Sequence, residues 1–205
     1  MNSLMRLDKT VFDWINVTWS NSVLDFIMPM ISHSCDPYTV WIWIVFISLI
    51  AGWQLLHLSK TNQMAGNKRA LIRAISFFCV YMALIYGVNA GIYTGLKNYF
   101  HRPRPFVQKS VTLRVSTATA LGLHDKTSFP SGHACNAFMI AVFFASRFRQ
   151  KRYLFYGLAA MVALSRVYLG VHYPSDVIVG SLLGLTMTSL MFFFVNPPET
   201  NFILR

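Results

Sequence analysis

Acidic residues are scarce in this chain: seven Asp and Glu stand against 18 Lys and Arg, and charged residues make up only 12% of its 205 positions. Soluble domains carry about 25%. So thin a polar complement does not cover a soluble protein, and with a mean hydropathy of +0.46 it points to a polytopic membrane protein. Cysteine is also short. Cys35, Cys79 and Cys135 are odd in number and lack CxxC spacing, which argues against a disulfide framework or a structural zinc site. The opening MNSLMRLDKTVFDW puts charges where a secretory signal needs its apolar run, so no cleaved signal peptide is expected. Internal repeats, low-complexity tracts and a linker to a second domain are missing too. The net charge of +11 suits anionic lipid surfaces and cytoplasmic loops. No nucleic-acid-binding motif accompanies it, so no nucleic-acid partner is expected.

What the chain has in quantity is apolar sequence. Hydrophobic runs occupy 38–56, 75–96, 133–146, 153–171 and 177–195, and about 20 apolar residues cross a bilayer. The pattern therefore predicts about five transmembrane helices, the third being the weakest by length and leaning on its neighbours. The first 36 residues differ. Val11, Trp14, Ile15 and Trp19, then Val23, Phe26, Ile27, Met30 and Ile31, keep helical spacing, while Asp13, Asn16, Asn21 and Asp25 interrupt any continuous run. Two amphipathic interfacial helices fit this, with a sixth span as the alternative. The expected fold is all-α: an interfacial segment over 1–36, a membrane helix bundle over 37–196, and a tail over 197–205. Lys60, Lys68 and Arg69 in one loop and RFRQKR at 147–152 in another assign those loops to the cytoplasm. The loops 97–132 and 172–176 then share the opposite side with the N-terminal helices.

Three polar clusters fall on that opposite side. KNYFHRPRPF, 97–106, sets Lys97, Arg102 and Arg104 on a chain that two prolines hold extended; a basic patch touching lipid phosphates has the same look. SFPSGH, 128–133, reads as a helix start whose free N–H groups can take an anion, with His133 beside it, or as an ordinary cap. In SRVYLGVHYPSD, 165–176, Arg166 lies near the end of a span, where a guanidinium needs an anion. Asp176, four residues after His172, can accept the imidazole Nδ1–H and leave Nε2 free as nucleophile or base; a structural Arg–Asp pair is the alternative. Topology gathers two histidines, a carboxylate and at least three cations on one face. Such a set suits phosphoryl transfer, which depends on positioning and charge stabilisation. Residue spacing does not say which histidine attacks.

Taken in order, these residues resemble the type 2 phosphatidic acid phosphatases, related in their active sites to vanadium haloperoxidases and glucose-6-phosphatase. The family pattern K-x6-RP, PSGH and SR-x5-H-x3-D is met by Lys97, Arg104 and Pro105; by Pro130, Ser131, Gly132 and His133; and by Ser165, Arg166, His172 and Asp176. The resemblance implies a metal-independent, two-step hydrolysis that needs no cofactor. In it His172 attacks phosphorus to give a phosphohistidine, Asp176 orients it, and His133 protonates the leaving oxygen. Lys97, Arg104, Ser131, Gly132 and Arg166 would hold the phosphoryl oxygens. The expected substrate is a lipid phosphate or diphosphate, with undecaprenyl diphosphate favoured over phosphatidylglycerol phosphate, phosphatidic acid and lipid A phosphate. The expected setting is a bacterial inner membrane, with the site facing the periplasm or exterior. Lys109, Arg114, His124, Asp125 and Lys126, between the first two clusters, are available to a headgroup. A vanadium-dependent haloperoxidase and a noncatalytic lipid-binding or transport protein remain as alternatives.

Overall fold

Proline and short polar side chains set the helix starts. Pro37 and Pro174 open their helices at the position where a missing N–H costs nothing. The Asn21 side chain accepts the Leu24 N–H at 2.9 Å, and the Ser131 hydroxyl accepts that of Ala134. The structure, a computed structural model, describes residues 3–59, 68–107, 111, 113 and 127–195. Lys60, Lys109, Arg114, His124, Asp125, Lys126 and the tail 197–205 lie outside the described residues. In chain order the helices are α1 Ser3–Asp13, a π-helical turn Trp14–Thr18, α2 Ser22–His33, α3 Pro37–Ser59, α4 Lys68–Phe100, α5 Gly132–Arg147, α6 Arg152–Tyr168 and α7 Pro174–Val195.

Each of the five expected hydrophobic runs forms a helix. Among the described residues, two of them, over Ile75–Phe100 and Pro174–Phe194, are long and apolar enough to cross a membrane unaided, and α2 with α3 as far as Ile50 makes a third candidate, bent by 63° at the break between them. Helices α5 and α6, with 16 and 17 residues, rise only about 24–26 Å against a hydrocarbon core of about 30 Å. Short helices must be held by neighbours. For α5 that holding is nearly complete, since eleven of its residues are buried, which makes it the central element of this integral membrane bundle. Outward-facing Ile42, Val80, Leu84, Ile178, Leu182 and Phe193 are exposed, as lipid-facing side chains are.

Helix α7 approaches α5 more closely than side chains normally permit, and two glycines allow it. A Cβ at Gly180 would run into the Ser131 carbonyl, and one at Gly184 into that of Cys135. The G-x3-G spacing of GSLLG, 180–184, thus lets the two backbones meet. Ser131 and Asp176 are joined across this contact, the Ser131 N–H donating to the Asp176 carbonyl at 2.9 Å. Above it, Phe12, Ile15 and Met28 of the N-terminal segment pack against Ala134, Val167, Tyr168, Leu169 and Val171.

Candidate active site

The third polar cluster owes its shape to the way α6 ends. Gly170 has φ 80°, a left-handed conformation that glycine adopts at little cost. The chain then folds back over the helix end, so that Val171 and His172 both donate N–H groups to the Arg166 carbonyl at 3.2 Å. His172 is thereby fixed beside the last turn that carries Arg166. The Arg166 guanidinium is buried and donates to the Ser32 hydroxyl of α2.

The first cluster reaches the same place by a different route. Helix α4 stops at Phe100, His101 takes φ 47°, and the RPRP segment runs alongside Thr127 and Ser128. Pro103 bridges Thr127, Ser128 N–H donates to the Arg102 carbonyl at 2.7 Å, and Lys97 Nζ donates to the Thr127 carbonyl at 3.3 Å. Arg104 donates through Nη1 to the Val171 carbonyl at 3.1 Å and lies 3.2 Å from His172 Nε2. Lys97, Arg104, Ser131, Arg166, His172 and Asp176 are all buried, and Gly132 and His133 follow directly on Ser131 at the start of α5.

Burial depresses the His172 pKa well below its ordinary value, and the positive charges of Arg104, Arg166 and Lys97 push it further the same way. The ring is therefore neutral at pH 7, and the short approach of Arg104 to Nε2 fits an unprotonated nitrogen accepting from a guanidinium. Its Nδ1 lies 3.6 Å from Asp176 Oδ2, beyond hydrogen-bond length. The sequence-based expectation that Asp176 accepts the Nδ1–H is met only as a near approach. Other donors fix the carboxylate in this position: Arg102 Nη1 donates to Asp176 Oδ1 at 2.7 Å, and Tyr173 N–H to Oδ2 at 2.8 Å.

Two carboxylates that sequence reasoning did not single out, Asp8 and Asp36, stand around this set together with Arg102. Asp8 of α1 accepts from Arg102 Nη2 at 2.6 Å, from Ser175 N–H at 2.8 Å and from the Ser175 hydroxyl at 2.7 Å. Arg102, counted among the cations of the first cluster, spans the two carboxylates and lies over the Tyr173 ring at 4.1 Å. Asp36, between α2 and α3, meets His133 Nε2 at 2.6 Å. The only available signal was a rarity: seven acidic residues in the whole chain, three of them at the site. Among the described residues, no three His, Cys, Asp or Glu side chains gather as metal ligands would.

A family model described as the PAP2 superfamily matches residues 75–198. The chain belongs to the PAP2 superfamily. Among its PAP2 relatives, phosphatidylglycerophosphatase B of Bacillus subtilis is 36% identical over 126 residues, covering 56% of this chain and 54% of that protein. The lipid A 1-phosphatase of Rhizobium johnstonii is 31% identical over 148 residues, 69% of this chain and 57% of that one. The chain spans about half the length of these curated relatives. Two solved structures share the fold. Aquifex aeolicus LpxE matches with a TM-score of 0.63 at 23% identity, over 91% of this chain and 94% of its own. A transmembrane PAP2-type phosphatidylglycerolphosphate phosphatase from Bacillus subtilis matches with a TM-score of 0.65 at 23% identity, over 96% and 88%.

Proposed function

We propose that this PAP2 protein is a membrane phosphatase that removes phosphate from a lipid phosphate or diphosphate through a phosphohistidine on His172. The observation that carries the reading is a buried, neutral imidazole whose Nε2 faces a guanidinium 3.2 Å away, in a pocket that also holds Lys97 and Arg166. A phosphate ester, dianionic when fully ionised, matches such a set of cations. In the first step the Nε2 lone pair of His172 attacks phosphorus, the bond to the lipid oxygen breaks, and His133 gives that oxygen a proton. In the second, His133 takes a proton from water as the water oxygen attacks phosphorus, the P–N bond breaks, and phosphate leaves. Lys97, Arg104 and Arg166, with Ser131 and the Gly132 N–H at the start of α5, hold the phosphoryl oxygens. Charge stabilisation of this kind is commonly the largest contribution to such catalysis. Asp176 orients His172 by closing its Nδ1 contact, since apo hydrogen bonds often tighten once substrate is bound.

A lipid rather than a soluble phosphate is supported by an apolar cavity of about 490 Å³ beside the site, lined by Ile31, Cys35, Trp43, Ala137, Phe144 and Phe155 among others, within the usual range for small-molecule pockets. Its lining includes Cys35, next to Asp36 in the chain, and Ala137, one turn along α5 from His133, and it can take the first part of a hydrocarbon tail. A polyprenyl diphosphate such as undecaprenyl diphosphate is the favoured substrate. The basic stretch at 147–152 lies at the other end of α5 and α6, so the positive-inside rule supports a site that opens away from the cytoplasm, at the periplasmic or outer face of a bacterial inner membrane. The test is phosphate release from a panel of lipid phosphates and diphosphates by purified protein in detergent, beside His172→Ala. Acid-labile, alkali-stable phosphoprotein is expected after rapid quench of the wild type and not of the variant. A fully active His172→Ala protein refutes the reading.

A further inference from the structure

Asp36 stands where an N-cap residue stands, with Pro37 at the first position of α3 and its own carbonyl accepting from Val40 N–H at 3.1 Å. Its carboxylate, however, bonds to side chains from elsewhere. Oδ1 meets His133 Nε2 at 2.6 Å, while Oδ2 takes His33 Nδ1 at 2.7 Å and the Tyr38 hydroxyl at 2.9 Å. The carboxylate is thus pinned on one oxygen from two directions and presents the other to His133. Both members of the Asp36–His133 pair have side chains only 15% exposed, so water competes weakly for the contact. Loop geometry contributes too, because Asp36 lies in the break where α2 and α3 bend by 63°. The bend carries the carboxylate to the start of α5.

We infer that Asp36 is a positioning residue for His133: it holds the proton on Nε2, leaves Nδ1 as the nitrogen that exchanges a proton with the lipid oxygen, and balances the positive charge of the imidazolium form. The inference rests on the phosphatase reading above. A cation must exist on His133 before the first step, in a pocket that already holds Lys97, Arg104 and Arg166. Without a carboxylate those neighbours oppose it. With Asp36 ionised, the ring can carry its second proton, pass Nδ1–H to the leaving oxygen as the P–O bond breaks, and recover a proton from the attacking water in the second step. No net proton leaves the pair over a turnover, so Asp36 need only orient and compensate. Carboxylates that orient a working histidine in this way typically contribute about 10- to 100-fold where they have been removed from metal sites.

The inference separates from a merely structural role by the demand of the leaving group. A lipid alkoxide needs a proton to depart, whereas a thiolate does not. Two substrates with the same tail are therefore compared: phosphatidic acid, and its analogue with sulfur in place of the bridging oxygen. Asp36→Asn keeps the side-chain shape and removes the charge. It is expected to lower kcat/KM, which reports the steps up to departure of the lipid and not the shared hydrolysis of the phosphohistidine, about 10- to 100-fold on phosphatidic acid, and to leave kcat/KM on the sulfur analogue within about threefold of wild type. Asp36→Glu is expected to recover part of the oxygen-ester rate, and His33→Ala to give a milder form of the same split. Equal losses on both substrates would assign Asp36 a structural role and overturn the inference, as would an unchanged rate on phosphatidic acid. Wild-type inactivity on both compounds and on the lipid panel would instead overturn the phosphatase reading beneath it.

Discussion

Replacing Arg102 by Met should both loosen the fold and slow the chemistry, and the two effects have separable origins. Arg102 is the one cation between Asp8 and Asp176 in the contacts described above, bonded to them at 2.6 and 2.7 Å. Its side chain is 25% exposed, against 10% for Asp8 and 0% for Asp176. Met fills similar space without charge and leaves two carboxylates facing each other at the α7 start. Removing one partner of a buried ion pair costs about 3–5 kcal/mol; with a quarter of Arg102 in water, the lower end, about 3 kcal/mol, is appropriate. For a chain of this size that corresponds to about 6–12 °C in the unfolding midpoint. Buried, free Cys35 and Cys135 provide the assay, since a thiol-reactive fluorophore labels them as the bundle opens on heating in detergent. Catalysis should fall as well, by about 10- to 100-fold in kcat, because Asp176 loses its Oδ1 donor and its orientation toward His172. The decisive arm is Asp8→Asn added to Arg102→Met. The amide still accepts from Ser175 but carries no charge, so it relieves the repulsion, and the double variant should be more stable than Arg102→Met alone by about 1–2 kcal/mol. A double variant less stable than Arg102→Met would refute the reasoning, as would an Arg102→Met midpoint equal to wild type.

Two further outcomes follow from the same geometry. Because burial and then the Arg104 charge hold the His172 pKa well below its ordinary value, the nucleophile stays neutral as pH falls through about 6.5, and the acid limb of kcat/KM for the free enzyme should lie below that point. Arg104→Gln removes one of the depressing charges and should move the limb to higher pH, so an unmoved limb in the pH–rate profile would contradict the electrostatic account. Gly184→Ala should destabilise by about 1–3 kcal/mol, since its Cβ meets the Cys135 carbonyl, whereas Gly157→Ala, with nothing within 4 Å, should be neutral or stabilising by up to about 1 kcal/mol. Equal midpoints for these two variants in the thiol assay would remove the close α5–α7 contact as the reason for the glycines.

The helical class and the gathering of Lys97, Arg104, His133, Arg166 and His172 at one end of the bundle are legible in the sequence because hydrophobic length decides where helices run and charge decides which loops share a side. The acidic partners Asp8 and Asp36 are not legible by that route. The N-terminal segment shows why: its alternation of apolar and polar residues says that two faces differ, not which of them meets protein. In water the apolar face turns inward, and the same expectation applied to a membrane interface leaves the polar residues facing solvent. Here polar residues share the joining with the buried Phe12, Ile15 and Met28. Asn16 is buried and donates to the Tyr168 carbonyl at 2.7 Å, Asp25 accepts from the Tyr168 hydroxyl at 2.7 Å, and Asp8 accepts from Arg102. Trp14, Val23, Phe26 and Met30 are exposed. Lipid offers apolar side chains as good an environment as a protein core does, so burying them gains little, while polar groups gain most from partners inside the bundle. A segment that joins a membrane bundle thus does so through apolar and polar side chains together, Phe12, Ile15 and Met28 beside Asn16 and Asp8, and its rare carboxylates are the first residues to seek at a neighbouring catalytic site.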